Sequence, residues 1–178
     1  MSDVNQEILL GLGKFSIYKG EQKIPIGYVR GGGKFTVTRE YRPISYDGLK
    51  SYATEEMLVI DAENVSMEIN MLSLFTKENM TLLYPGMKHQ TGADGVEITS
   101  NDDLKVETEN YIKVEWQGIT NTGAGVVITI DNAINVSNID FTFADKSEVL
   151  QAIKYEGIAP KGETRCKWSI KWLTGAGA

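Results

Sequence analysis

The sequence contains few of the residues from which disulfides and metal sites are built. Among its 178 residues are one cysteine, one histidine and four prolines. Cys166 has no second cysteine with which to form an internal disulfide, and it lies beside Trp168 in an alternating segment. His89 has no second histidine or cysteine to complete a zinc site and no nucleophile placed beside it. We therefore interpret Cys166 as a small strand residue and expect no catalytic residue, no metal and no cofactor.

Basic clusters and long apolar runs are also absent. The formal net charge is −6, whereas proteins that grip nucleic acid neutralise phosphates with clustered Lys and Arg. No stretch approaches the length of about eighteen apolar residues that a membrane span needs, and the N-terminal residues lack the basic start and apolar core of a secretion signal. We expect a protein without a membrane span that stays in the reducing compartment where it is made.

What the sequence does contain is typical of one globular β domain. Apolar residues make up 42% of the chain, and glycine is abundant at 18 residues. No linker, heptad run or internal repeat divides the chain, which is long enough to bury a substantial core. We predict a single mainly β domain over residues 1–178.

Alternation of apolar and polar residues predicts most of the strands. In the clearest case, Val65, Met67, Ile69 and Met71 alternate with polar residues. In an extended chain, this period of two places like residues on one face of a sheet. Further strands are predicted at 15–18, 24–29, 35–41, 112–116, 126–136, 139–143 and 168–172.

One segment, residues 76–84, has the features of a short helix. Thr76 is a suitable N-cap, and a proline and a glycine follow the segment directly. Met80, Leu83 and Tyr84 have the spacing that places them on one side of a helix. We predict a single short helix that lies against a sheet.

Proline and glycine mark two irregularities in the predicted strands. Pro25 lacks the N–H that a ladder needs, so its strand is predicted to lie at a sheet edge or to be irregular there. Gly31, Gly32 and Gly33 do not form a phosphate loop, which needs a strand, a glycine turn and then a helix, because here they run into a strand. We interpret them as a bend or bulge at which another backbone comes close.

Three further groups of residues are weighed as functional candidates. Residues 101–103 lack the glycine and the distal glutamate of a calcium loop, so we interpret them as a solvated turn. Trp116, Trp168 and Trp172 could form a sugar-binding platform if exposed, but their alternation with polar residues favours the core. Neighbouring carboxylates give a glycosidase no positive support.

The range 39–64 is predicted to be a long assembly loop. Its first part, residues 39–48, joins a strong strand to residues 49–64, which are mixed in charge and show no clear alternation. Irregular segments of this length are uncommon in compact domains and are usually functional. The range is rich in Arg and Tyr, which protein interfaces favour.

Several blocks of the sequence carry a resemblance to a known family. They are residues 11–15 (GLGKF), 30–42 (RGGGKFTVTREYR) and 47–48, followed by the strand 65–71 and the helix end at 83–86. In these blocks the first half of the chain resembles major tail tube proteins of bacteriophages that infect Gram-positive bacteria and have long, non-contractile tails. The second half is similar to them only in strand order and length.

The resemblance implies two packed antiparallel sheets, arranged as a sandwich or partly closed barrel, with one short flanking helix and a long assembly loop. It implies a structural virion protein and not an enzyme, with six copies in a ring and rings stacked into a tail tube that conducts viral DNA. Its partners are then further copies of itself, the tape measure protein and the tail terminator, while DNA passes without specific binding. An N-terminal arm (1–13) and the loop 39–64 are expected to contact neighbouring subunits. The expected interface residues are Leu10, Leu12, Arg39, Tyr41, Arg42, Tyr46, Asp47, Gly48, Tyr52, Glu55, Met57 and Leu58.

One departure from the family concerns the charge of the loop. Here it carries Glu55, Glu56, Asp61 and Glu63, whereas the family tends to be basic at this place. How charges pair between rings is therefore open. An acidic lining of a DNA conduit would repel phosphates and keep the genome from adhering.

Other functions stay open on the sequence alone. The inner tube of a contractile tail, a tail-like bacteriocin or a secretion needle belongs to the same broad class. A carbohydrate-binding β-sandwich that uses the tryptophans and an enzyme with scattered carboxylates belong to different classes.

Overall fold

A computed structural model describes residues 9–26, 29–72, 77–100, 105–141 and 149–173. In these ranges lie ten strands, one α-helix (α1) and one 3₁₀ turn. The prediction of a mainly β protein with one short helix is confirmed. The elements are β1 Leu9–Lys19, β2 Gln22–Pro25, β3 Val29–Pro43, β4 Leu58–Met71, α1 Lys77–Leu83, β5 Met87–Gly92, β6 Gly95–Ser100, the 3₁₀ turn Thr108–Asn110, β7 Ile112–Thr120, β8 Gly125–Asn135, β9 Gln151–Gly157 and β10 Trp168–Leu173.

The strands form two antiparallel sheets, as predicted. The larger sheet has the order β2, β1, β7, β8, β9, β4, β3, and β10 joins it as a further partner of β8. The smaller sheet is the hairpin β5–β6. No ladder among the described strands joins β2 to β3, so the larger sheet is not closed into a barrel.

The larger sheet curves strongly around a single core. Strands β1 and β9 are separated by β7 and β8, which would place them about 14 Å apart in a flat sheet. The rings of Phe15 on β1 and Tyr155 on β9 nevertheless stack with centroids 5.7 Å apart. The two halves of the sheet therefore face each other, and their inner side chains interdigitate.

The alternation predicted at 65–71 is confirmed, because Val65, Met67, Ile69 and Met71 are all buried. The predicted helix is also confirmed over Lys77–Leu83. Its residues Met80 and Leu83, together with Tyr84 just after it, are buried in the same core, while the predicted N-cap Thr76 lies outside the described residues. The buried side chain of Asn135 donates a 2.8 Å hydrogen bond to the carbonyl of Leu83, which satisfies a backbone group at the helix end.

The predictions for proline and glycine are confirmed. Pro25 ends β2, which lies at one edge of the larger sheet. The ladder between β3 and β4 shifts register between Val29 and Gly33. A Cβ atom on Gly33 would lie 2.7 Å from the carbonyl oxygen of Glu68, so the two backbones approach too closely for a side chain.

The tryptophans divide between core and surface. Trp116 and Trp168 pack against the core, and the Trp116 ring lies 2.0 Å from where a Cβ atom of Gly118 would be. The expectation of a core position is wrong for Trp172, which is 56% exposed. Its strand, β10, pairs with β8 alone, so Trp172, although opposite the buried Val126, has no described strand on its other side to cover it.

Two further local predictions are wrong. Residues 139–141 of the predicted strand 139–143 are not a strand, and residues 142–143 lie outside the described residues. Just before them, the side chain of Gln151 donates a 2.7 Å hydrogen bond to the carbonyl of Asn138. Cys166 precedes β10 and is not in a strand. It is partly buried, and its Sγ lies 3.3 Å from the carbonyl oxygen of Asn132. The turn expected at 101–103 falls outside the described residues.

Candidate assembly interface

The hairpin β3–β4 extends beyond the rest of the sheet. Its two strands pair from Val29 and Met71 at one end to Pro43 and Leu58 at the other. On its other edge, β4 pairs with β9 only over Ser66–Met71. Residues 38–43 and 58–64 therefore form a two-stranded ribbon of about 17 Å, at about 3.4 Å per residue. We call residues 38–64 the arm and residues 44–57 its tip.

This geometry corrects the bounds of the predicted loop 39–64. Only the tip is irregular, since residues 39–43 belong to β3 and residues 58–64 belong to β4. The ladder shifts register between Glu40 and Tyr41. Such a bulge interrupts the period of two, and most side chains here are exposed on both faces of the ribbon. Both effects remove the alternation by which a strand is recognised in sequence.

The base of the arm is anchored by a polar cluster around Glu63. Its carboxylate accepts a 2.6 Å hydrogen bond from Arg39, directly opposite on β3, and a 2.9 Å hydrogen bond from the indole of Trp168 on β10. The Trp168 hydrogen bond, followed by the Arg39 guanidinium, lowers the pKa of Glu63 below its usual value. The cluster therefore joins the arm to β10 through a charged carboxylate.

Further out, the arm is held mainly by backbone pairing and exposed contacts. Arg42 donates a 2.7 Å hydrogen bond to Asp61, but both side chains are exposed, and such pairs contribute about 0–1 kcal/mol. At the start of the tip, the amide of Ile44 donates to the carbonyl of Met57 at 2.7 Å. The ribbon therefore keeps its shape up to the tip without a hydrophobic core of its own.

The tip itself is organised by two tight turns. The amide of Leu49 donates to the carbonyl of Tyr46, with Gly48 at a φ of 90°. The amide of Met57 donates to the carbonyl of Thr54, with Glu56 at a φ of 66°. A positive φ is unfavourable for a residue with a side chain. Most side chains of the tip are exposed.

Exposed hydrophobic residues are concentrated on the arm. Of the fifteen large hydrophobic residues that are exposed in the described part of the chain, seven fall between residues 41 and 59. Tyr52 is the most exposed of them, at 69%. Clustered apolar exposure of this kind marks surfaces that contact other molecules. The seven residues are Tyr41, Ile44, Tyr46, Tyr52, Met57, Leu58 and Val59.

The structure brings ten of the twelve predicted interface residues together on the arm. Sequence reasoning missed Ile44 at the start of the tip and Val59 on the ribbon, because nothing in the local pattern indicates their exposure. Leu10 and Leu12 lie elsewhere, on β1. The predicted N-terminal arm 1–13 is therefore in part a strand, since residues 9–13 belong to β1, and residues 1–8 lie outside the described ranges.

The other candidates are not assembled into a reactive site. His89 is exposed on β5, and burial raises the pKa of the Cys166 thiol, which makes it a poorer nucleophile. Within the ranges that the structure describes, no group of three or more His, Cys, Asp or Glu residues is placed to hold a metal. No helix in those ranges is long and apolar enough to cross a membrane.

Comparison with known proteins leaves the arm as the main guide to function. No protein-family model matches the chain, and no curated protein shows significant similarity to it.

Proposed function

We propose that this protein is a structural subunit that assembles with copies of itself into stacked rings, forming the tube of a bacteriophage tail. The sequence blocks at 11–15 and 30–42 support this proposal through their resemblance to tail tube proteins. A curved β domain with a flanking helix and a long hairpin suits the same role. The partners are then further copies of this chain and the proteins at the two ends of the tube, and the lumen conducts viral DNA.

The observation that carries the proposal is the arm. It leaves the sheet, contributes little to the core and presents seven of the exposed large hydrophobic residues. Ordering its backbone costs about 1–2 kcal/mol per residue, and burial within its own subunit does little to offset that cost. Contact with a second subunit would bury these side chains, so the arm is best explained as an element of assembly.

The charge of the chain suits a conduit for DNA. Its net charge is −6, and an acidic wall repels phosphates instead of retaining them. A subunit of this charge can line a channel through which a genome passes without adhering.

The proposal is tested by electron microscopy and sedimentation of the purified protein over a range of concentrations. We expect rings or hollow tubes of one diameter. In a variant in which Asn-Gly replaces residues 44–57, the paired residues Pro43 and Leu58 are joined by a favoured two-residue hairpin turn. We expect this variant to keep the core and lose assembly. A wild-type protein that stays monomeric at every concentration, or a truncated variant that still forms tubes, contradicts the proposal.

A further inference from the structure

A second surface of interest is a groove at the base of the arm. It is an open depression of about 630 Å³ bordered by Arg39 and Glu63 on one side and by the loop before β10 on the other. This loop, residues 158–167, carries three basic residues and one acid, which gives it a net charge of +2. We call this surface the basic groove.

The loop that forms the groove is fixed in place. The amide of Ile158 donates to the carbonyl of Asn132 at 2.8 Å, and the amide of Asp131 donates to the carbonyl of Lys167 at 2.9 Å. Both ends of the loop are thus tied to β8. In between, the amide of Glu163 donates to the carbonyl of Pro160 at 2.9 Å, forming a turn. The groove therefore exists before any partner binds.

Two cations of the loop form no ion pair within the described part of the subunit. Lys167 forms an ion pair with Glu163 at 2.8 Å, and Arg39 forms one with Glu63. Lys161 and Arg165 are exposed and have no ion pair within the described part of the chain. The charge of Arg165 helps to lower the pKa of Glu63, but both side chains are exposed and can pair with the carboxylates of a partner.

The tip of the arm has the opposite charge. It contains Asp47, Glu55 and Glu56 against Lys50, which gives a net charge of −2. Its acids are exposed, and none of them forms an ion pair with a described residue. The tip and the basic groove are therefore complementary in charge, and each keeps charges that have no ion-pair partner within the described part of one subunit.

The two surfaces cannot meet within one molecule. Arg39 borders the groove, and the tip begins at Ile44, five residues further along the ribbon, or about 17 Å at 3.4 Å per residue. The paired strands between them hold the tip away from the base. The complementary charges can be joined only between molecules.

We infer that the tip of the arm of one subunit docks into the basic groove of a second copy of this chain. This inference rests on the proposed assembly function and names the surface that receives the arm. Glu55 and Glu56 then face Lys161 and Arg165, and an exposed tip aromatic such as Tyr52 packs against Trp168, which lines the groove. The contact joins two different surfaces, so it is head-to-tail and either closes into a ring or continues as a chain.

Charge reversal tests the inference. The tip variant carries Glu55→Lys and Glu56→Lys, and the groove variant carries Lys161→Glu and Arg165→Glu. In either variant alone, tip and groove have the same sign, and we expect the concentration needed for half-assembly to rise at least about tenfold. An equimolar mixture of the two variants, or one chain with all four changes, restores opposite signs and should return to within about threefold of wild type.

Matched controls carry the same change of charge elsewhere. Lys14→Glu with Lys19→Glu, and Glu21→Lys with Glu97→Lys, alter exposed residues away from both surfaces. We expect these variants to assemble at wild-type concentrations. Thermal unfolding of the tip and control variants should match wild type. The groove variant loses the support of Arg165 for the charged Glu63, and we expect it to unfold in a single transition at a slightly lower temperature, which separates lost association from lost folding.

The outcomes separate the inference from the proposed function. If wild type forms tubes and the reversals leave the half-assembly concentration unchanged, or the mixture does not recover, the inference is wrong while the tube function stands. If wild type forms only short oligomers that the reversals abolish and the mixture restores, the docking contact is upheld and the tube function falls. A protein that does not associate at all overturns both.

Discussion

The two halves of strand β4 differ in nearly every property except secondary structure. Residues 65–71 pair with β3 and, from Ser66 on, with β9, and they bury every second side chain, whereas residues 58–64 pair with β3 alone and are largely exposed. Both halves are strand because backbone hydrogen bonds are satisfied in each. Only residues 65–71 stabilise the subunit by burial. The same strand therefore supports the fold at its C-terminal end and leaves residues 58–64 exposed for contacts with other molecules.

The largest expected effect comes from placing a charge in the buried half. Ile69→Asp puts a carboxylate at a position that is 2% exposed, at a cost of several kcal/mol, comparable with the stability of a whole domain. We expect this variant to be unfolded by circular dichroism. Val59→Asp is the matched change in the exposed half and should lower the free energy of unfolding by less than about 1 kcal/mol. A folded Ile69→Asp variant would mean that the inner face is wrongly assigned.

A smaller effect is expected where β3 and β4 approach most closely. Gly33→Ala places a Cβ atom 2.7 Å from the backbone oxygen of Glu68, and such overpacking costs about 1–3 kcal/mol. Gly11→Ala is the control, because no described residue other than its chain neighbours has an atom within 4 Å of its Cβ position. Chemical denaturation should separate the two variants clearly. Equal stabilities would show that the backbone at Gly33 can move aside.

The attachment of the arm to β10 through Glu63 is expected to depend on pH. The pKa of Glu63 is lowered in the folded state. The charged carboxylate therefore adds to the free energy of unfolding above the unfolded pKa, and this stabilisation is lost as pH falls through the folded pKa. Glu63→Gln removes the titration while keeping an oxygen that can accept from Trp168. Between about pH 6 and about pH 3, wild type should therefore lose more stability than this variant. If stability falls equally with pH in wild type and Glu63→Gln, Glu63 is not the source of that loss. Glu21→Gln at an exposed site serves as the control.

The smallest effect on stability is expected on the outer arm. Arg42 and Tyr46 are exposed, so changing both to Ala should alter the free energy of unfolding by about 0.5 kcal/mol or less. Assembly should nevertheless be abolished, because the lost contacts lie between subunits. Sedimentation and thermal unfolding of the same sample check the two halves of this expectation. A variant that forms tubes as wild type does would remove these residues from the interface.

The sequence predicts the buried half of β4 well because burial imposes a period of two on Val65 to Met71. The close approach of β3 and β4 at Gly33 can equally be predicted from sequence, since a run of glycines that enters a strand is typical of a bulge or of a close backbone approach. The arm is not visible as a strand, because its bulge after Glu40 and its exposure on both faces remove the alternation. Its role as a functional segment is nevertheless suggested by its length and by its Arg and Tyr content.

Other features depend on tertiary contacts that local pattern does not encode. Trp172 alternates as a core residue would, yet β10 has β8 as its one partner among the described strands, and Trp172 stays exposed on that edge. The basic groove combines residues on β3 and β4 with a loop some 100 positions later in the chain. Sequence patterns identify the charges of that loop but not their position at the base of the arm.

Hydrogen exchange on the monomer and on the assembled protein tests the central claim most directly. Residues 58–64 are already paired with β3, so the expectation of ordering by neighbours applies to the tip, residues 44–57. We predict that amides of residues 65–71 are protected in both states. Those of the tip, apart from the hydrogen-bonded amides of Ile44, Leu49 and Met57, should exchange freely in the monomer and become protected on assembly. Strong protection of the tip already present in the monomer, or a tip that exchanges equally fast in the assembled state, would contradict the account of the arm as an assembly element.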